Sequence, residues 1–157
     1  MQSIKKFLKG ARGQSLAAKI DKPAYGEPRT WALFAHCFTC GKDLAAIRNI
    51  SRALTKEGIA VIRFDFTGLG QSDGNFEQST FSNDVADLVH LVNTLQEEDI
   101  TIELLIGHSL GGSAIIAAGN QTPLVKGMVT IGSPAAPEHV THLFKSDLST
   151  IKEQGKA

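Results

Sequence analysis

The sequence predicts an α/β domain with a mostly parallel central sheet of about six strands and helices on both faces. Three observations carry this prediction. Four near-continuous apolar runs have the make-up of strands buried on both faces. Segments whose apolar residues recur at helical spacing alternate with them. The run "GHSLG" (107–111) stands where such a strand passes into such a helix.

Taken in order, "SIKKFLKG" and "QSLAAKID" read as two short strands of a hairpin turning at Gly10 and Gly13. "KPAYGEP" is a loop, punctuated by Pro23, Gly26 and Pro28. "TWALFAHC" is the first buried strand. Asp43 stands where a helix cap belongs; Leu44, Ile47, Ile50 and Leu54 follow at helical spacing, and Gly58 ends that pattern. "IAVIRFDF" is the second buried strand and "TGLGQSDGN" its glycine-rich exit. Ser82 or Asn83 is placed to cap the next helix, whose apolar face is Val85, Leu88, Val92 and Leu95. "TIELLIG" is the third strand. "LGGSAIIAAGN" is apolar all round, so it predicts a buried helix ended by Gly119 and Asn120. "VKGMVTIG" is the fourth buried-type strand. The whole divides into a hairpin (1–22), an α/β core (30–133) and a helical tail (137–157) carrying Val140, Leu143, Phe144, Leu148 and Ile151.

Composition narrows the function. The 157 residues fit one domain. Sixteen basic residues balance sixteen acidic ones, which argues against binding nucleic acid or a membrane surface by bulk charge. The start, "MQSIKKFLKG", has no apolar stretch behind it, and no segment approaches the roughly 20 apolar residues of a membrane span. Two cysteines do not make a secreted disulfide scaffold. A cytoplasmic protein with no metal and no cofactor is the expectation. "DFTGLGQSDG" lacks the lysine and the immediate helix of a phosphate-binding loop. Asp65 is therefore read as setting a tight loop rather than as a catalytic acid.

Ligands in an open parallel sheet sit beyond the carboxyl ends of the strands. Those ends open the loops at His36, Asp65, His108 and Gly132. The motif "GHSLG" is G-x-S-x-G in its required strand-to-helix context. Gly107 and Gly111 clear the room that a tight turn needs, and Gly112 eases helix packing. Ser109 is then the candidate nucleophile. The Leu110 amide points where charge develops on a substrate carbonyl oxygen. The loop "HCFTCG" leaves two readings open. It is a candidate source of a second amide donor, Phe38 first and Cys37 as the alternative, with His36 shaping the loop. It is also a C-x-x-C pair, Cys37 and Cys40, of dithiol redox type. His108 and His90 receive no proton-transfer role.

These pieces together, "HCFTCG", "RFDFTGLGQSDG" and "GHSLGG", resemble the N-terminal part of an α/β-hydrolase. More narrowly, the run through "GSPAAPEHVTHLF" is similar to the hydrolase portion of bacterial fusions of an α/β-hydrolase with an OsmC-like domain. The resemblance implies a serine hydrolase of an ester or related acyl substrate, with "HCFTCG" as the oxyanion loop. In the wider family a glycine often stands where Cys37 does. The family's acid and histidine come from segments after the last strand present, so a truncated hydrolase with an incomplete triad is expected. His139 and His142, with Glu138 and Asp147 nearby, are read as surface or interface residues. The edge strand left open predicts a homo-oligomer or a C-terminal complement. A noncatalytic assembly or binding module and a dithiol redox protein are the alternative functions.

Overall fold

A computed structural model describes residues 1–136. The predicted helical tail, with His139 and His142, lies outside the described residues. Six strands form one sheet: β1 (Gln2–Lys9), β2 (Ser15–Lys22), β3 (Thr30–Ala35), β4 (Ile59–Phe64), β5 (Ile102–His108) and β6 (Gly127–Ile131). Their order is β1-β2-β4-β3-β5-β6. β1 pairs antiparallel with β2, and β2 with β4. The β4, β3, β5 and β6 neighbours are all parallel. The helices are α1 (Ala45–Lys56), α2 (Phe81–Glu97) and α3 (Leu110–Ala118). The fold class predicted from the sequence is the fold observed.

The apolar runs are two-faced for a geometric reason. Successive strand residues point to opposite sides of a sheet. On β3, Leu33 and Ala35 join a core with Ile62, Phe64, Leu88, Leu95 and Ile115, under α2 and α3. Ala32 and Phe34 point the other way, into a smaller core with Ile47, Val61 and Ile106 under α1. Two cores need apolar side chains at every position, so no alternation is visible along the chain. Among the described residues, no helix is long and apolar enough to cross a membrane.

Several local expectations are corrected. Asp43 does not cap α1; Leu44 occupies the cap without a side-chain bond. The Asp43 carboxylate is drawn instead to Lys19 (2.6 Å) and Arg63 (3.3 Å), which project from the sheet. The buried stripe of α1 is Ile47, Ser51 and Thr55, and Leu44 is exposed. The polar Ser51 is there because Asp21 of β2 lies beneath it and accepts its hydroxyl at 2.5 Å. Thr80, not Ser82 or Asn83, caps α2 by accepting from the Asn83 amide. On α3, Ile116 is 60% exposed, so this helix is not buried all round.

The edges differ. β1 carries Lys5, Lys6 and Lys9 beside the exposed Ile4 and Phe7, and β6 exposes Met128, Val129 and Ile131 with no charged residue among them.

Asp84 and Asp87 are both buried in the first turns of α2. Asp87 is well satisfied. It accepts from the Ala11 amide at 2.9 Å, Gln14 Nε2 at 2.8 Å and Thr67 Oγ1 at 2.6 Å. Asp84 has only a long contact with the Ser79 hydroxyl, at 3.4 Å. Burial, with the neighbouring Asp87 carboxylate, raises the Asp84 pKa to about 6 against smaller opposing effects of Ser79 and Arg12. The favourable linkage is therefore complete below the unfolded pKa and is lost as pH rises through about 6. Asp84→Asn is expected to be more stable than the parent above pH 6, by about 1–2 kcal/mol after allowance for solvent screening. Melting temperature against pH checks this, and the two curves should meet near pH 4.

Candidate active site

Four loops gather at the carboxyl ends of the parallel strands, and each is tied to a neighbour. Ser109 sits between β5 and α3 with φ 52° and ψ −119°. A non-glycine residue in that region is uncommon and persists only where its surroundings impose it. The surroundings are close. A Cβ on Gly107 would lie 2.4 Å from the Gly111 carbonyl oxygen, and one on Gly111 only 2.3 Å from that of Ala35. Both obstacles are backbone, so neither can step aside. A Cβ on Gly112 would meet Ser133 at 2.7 Å. The glycines let α3 start directly against β5 and the end of β3. The Ser109 amide donates to the Ile131 carbonyl of β6 at 2.9 Å, which fixes the turn from the other side.

The contact between Gly111 and Ala35–His36 brings the loop after β3 beside the Ser109 turn. His36 is buried and bridges two loops. Its Nδ1 donates to the Cys37 carbonyl at 2.7 Å, and its Nε2 accepts from the Phe66 amide at 3.1 Å. The ring edge also packs on Phe66, 5.0 Å between centroids. Burial pushes the imidazole pKa below its ordinary value, against the Cys37 carbonyl and Asp65. His36 is thus a neutral, doubly bonded brace with both nitrogens occupied.

Asp65 locks the same loop from below. It accepts from the Lys42 amide at 2.6 Å, from Lys42 Nζ at 2.7 Å and from the Gln71 amide at 3.0 Å. Lys42 Nζ also reaches Gln71 Oε1 at 3.0 Å. Gly70, at φ +55°, faces this carboxylate so closely that a Cβ would stand 2.2 Å from Oδ2. Lys42 is 3% exposed, a burial that an ammonium tolerates only when paired. Lys42 was not singled out in the sequence, where a lone lysine in a loop reads as solvated. Ser113 and Ser133 were missed too. Their hydroxyls lie 3.1 Å apart, and Ser113 also donates to the Pro134 carbonyl, tying α3 to the loop after β6.

Between His36 and Lys42, Cys37 and Cys40 are joined in a disulfide, with their Cα atoms 5.3 Å apart. They do not simply pack beneath the loop as two small side chains. The turn is closed also by the Cys40 amide donating to the Cys37 carbonyl at 3.2 Å. Thr39 at its centre has φ 61°. Phe38 is 45% exposed, and its ring meets Phe76 edge-on at 5.1 Å. Helix α1 begins only at Ala45, so the cysteines stand outside its first turn. Among the described residues, neither the Phe38 nor the Leu110 amide has a backbone acceptor. His108 ends β5 next to Ser109, and His90 lies within α2. Two surface cavities, of 620 and 240 Å³, are lined by other residues and do not include Ser109.

Residues 27–153 match the family described as serine aminopeptidase, S33 (Hydrolase_4). The chain is 32% identical to rat (Rattus norvegicus) monoglyceride lipase over 142 residues, covering 87% of this chain and 46% of that protein. It is 33% identical to the human (Homo sapiens) mitochondrial palmitoyl-protein thioesterase ABHD10 over 114 residues, covering 73% of this chain and 35% of that one. Among solved structures, the esterase domain of a Rhodothermus marinus protein shares 44% identity, with a TM-score of 0.74. That match covers 90% of this chain and 55% of that one. The chain spans about half the length of the rat lipase it matches.

Asp65→Asn would leave the buried Lys42 ammonium with only the exposed Asp43 carboxylate, 3.6 Å away, as counter-charge. The expected cost is about 3–5 kcal/mol. Removing the cation as well, Lys42→Met with Asp65→Asn, should recover much of it, because Asn keeps an acceptor oxygen for the loop amides. Urea denaturation of the three variants and the parent measures the difference. Equal losses for the single and double variants would show that the charge pair is not what holds the loop.

Proposed function

The chain belongs to the Hydrolase_4 family of α/β-hydrolases, and from that premise we propose that it carries the nucleophile of a serine hydrolase acting on an ester or related acyl substrate. The observation that carries the reading is the backbone of Ser109. It is held in a sparsely populated conformation at the head of α3, where glycines at 107 and 111 leave no room for a side chain. The names of the relatives agree in reaction class: a monoglyceride lipase, a palmitoyl-protein thioesterase and an esterase domain all concern acyl bonds.

In this reading Ser109 Oγ attacks the acyl carbon. The Leu110 and Phe38 amides stabilise the oxygen that becomes negative, with Cys37 as the alternative donor. His36, His108, Gly107 and Gly111 shape the turn and the loop. A serine hydroxyl is a weak nucleophile without a general base. Neither nitrogen of His36 is free for that task, so base and acid are assigned to segments outside the described residues. Without them, turnover should fall by about 10⁶, leaving binding and oxyanion stabilisation.

The surface of β6 supports a second part of the proposal. Among the described residues β5 is its single neighbour, and Met128, Val129 and Ile131 are exposed on it. An apolar edge of this kind recruits another strand or chain. We assign it to a second copy or to a C-terminal complement. The OsmC-like partner domain also belongs here. It rests on the resemblance of "HCFTCG" through "GSPAAPEHVTHLF" and is consistent with the Rhodothermus relative being one domain of its protein.

Ser109→Ala should abolish the slow labelling by a fluorophosphonate that the parent shows, read by mass after long incubation. Equal labelling of variant and parent would remove Ser109 from the mechanism. For the edge, light scattering at micromolar concentration is expected to give more than one copy per particle for this chain alone. A monomer would overturn the homo-oligomer.

A further inference from the structure

We propose that Cys37 and Cys40 form a reversible dithiol–disulfide centre that sets the conformation of the loop carrying the Phe38 amide, with small disulfides and thiols as its reagents. Its effect on Ser109 rests on the hydrolase reading above; its effect on the loop does not.

The case begins with where the loop is anchored. On one side His36 is fixed by its bonds to the Cys37 carbonyl and the Phe66 amide. On the other, Lys42 is fixed twice by Asp65. Between these anchors the turn is closed by the Cys40 amide bond to Cys37 and by the disulfide. The disulfide is therefore the one covalent clamp on the segment that presents the Phe38 amide.

That clamp has something to hold. Thr39 is β-branched and sits at φ 61°, where such a side chain is a genuine outlier. An outlier of this kind persists when its surroundings over-determine it. With the sulfur–sulfur bond gone, a single backbone hydrogen bond of 3.2 Å opposes relaxation of Thr39. With His36 and Lys42 held, a change in the Thr39 backbone has to be taken up by the Cys37 and Phe38 torsions, and the Cys37 torsion sets where the Phe38 amide points. His36 and Lys42 keep that change local.

The centre is also reachable. Cys37 is buried, but Cys40 is half-buried and Phe38 and Thr39 between them are exposed. A thiolate of Cys40 can attack a small disulfide RSSR, releasing RSH after proton uptake and leaving a mixed disulfide. The Cys37 thiolate then displaces the second RSH and forms the intramolecular bond. Two electrons pass from the protein dithiol to RSSR. The two protein thiol protons end on the two RSH molecules. The reverse sequence, with two RSH, reopens the loop.

The test uses the full chain equilibrated across ratios of reduced to oxidised glutathione. Three quantities are read: free thiols by alkylation and mass, hydrogen exchange of the segment 36–42, and the rate of fluorophosphonate labelling. Two thiols are expected to disappear in one transition. Exchange over 37–41 should slow in step with it, while β4 and α2 stay unchanged. Labelling should be about 10²-fold faster in the disulfide form, the lower end of what one oxyanion donor contributes. Cys40→Ser should show the fast exchange and slow labelling in every buffer, with β4 and α2 still protected. Two thiols that persist across the series, or exchange over 36–42 that is the same in both states, would overturn the proposal. Labelling that is fast and identical in both states would overturn its link to Ser109. Labelling that is equal in parent and Ser109→Ala, with the thiol and exchange transitions intact, would support the centre and remove the hydrolase reading instead.

Discussion

A row of buried opposite charges holds the loop face of this molecule to its sheet. Asp21 on β2 is fully buried and accepts from Arg63 Nε, Ser3 and Ser51 at 2.5–2.6 Å. Burial alone would raise the Asp21 pKa, but these hydrogen bonds, Arg63 foremost, hold it below its ordinary value. Arg63 on β4 then donates to the Lys42 carbonyl. Lys42 pairs with Asp65, and Asp65 carries the loop after β4. The row thus links β1, β2, β4, α1 and two loops. Such groups are costly to desolvate, and each is tolerable only while its partner is in place. That mutual dependence makes the row a specification of geometry more than a source of net stability. The loop after β3 has one position in which Lys42 is satisfied, and His36 then falls where it can brace Phe66.

The turn at Ser109 depends on the same arrangement from above. Gly111 presses on the Ala35 and His36 carbonyls, so β3 must be finished at the right height for α3 to begin. The β3–β5 register aligns Ala35 with Gly107, which delivers that height. Strand pairing, not the loops themselves, therefore decides how far Ser109 stands from the cysteine turn.

What was legible in the sequence follows from range. Two-faced burial writes itself into adjacent residues, so β3, β4 and β5 could be read from composition alone. The Ser109 turn was legible because its glycines and serine lie within five positions. Arg63 and Asp21 are 42 residues apart, and Lys42 and Asp65 are 23 apart. No periodicity announces such pairs. Asp43 shows the same limit: its neighbours in sequence make it a helix cap, and the cations of the sheet claim it first. Ser51 on α1 obeys the same limit, because the carboxylate that needs its hydroxyl belongs to β2. The cysteine pair was visible, but its bond and the position of Thr39 were not.

The two sheet margins differ in charge, and this bears on how the molecule behaves when crowded. Lysines on β1 put positive charge along that margin and discourage another strand from joining. Ile4 and Phe7 are exposed there among the lysines, whereas β6 exposes Met128, Val129 and Ile131 with no charge between them. Among the described residues the sheet is in effect a template with one uncharged end. Strand addition at that end keeps the parallel sense of β3, β5 and β6 or reverses it, without disturbing the cores beneath α1 and α3. During synthesis at high concentration, inclusion-body formation would be seeded there, and a single lysine at Val129 would be the economical place to interrupt it.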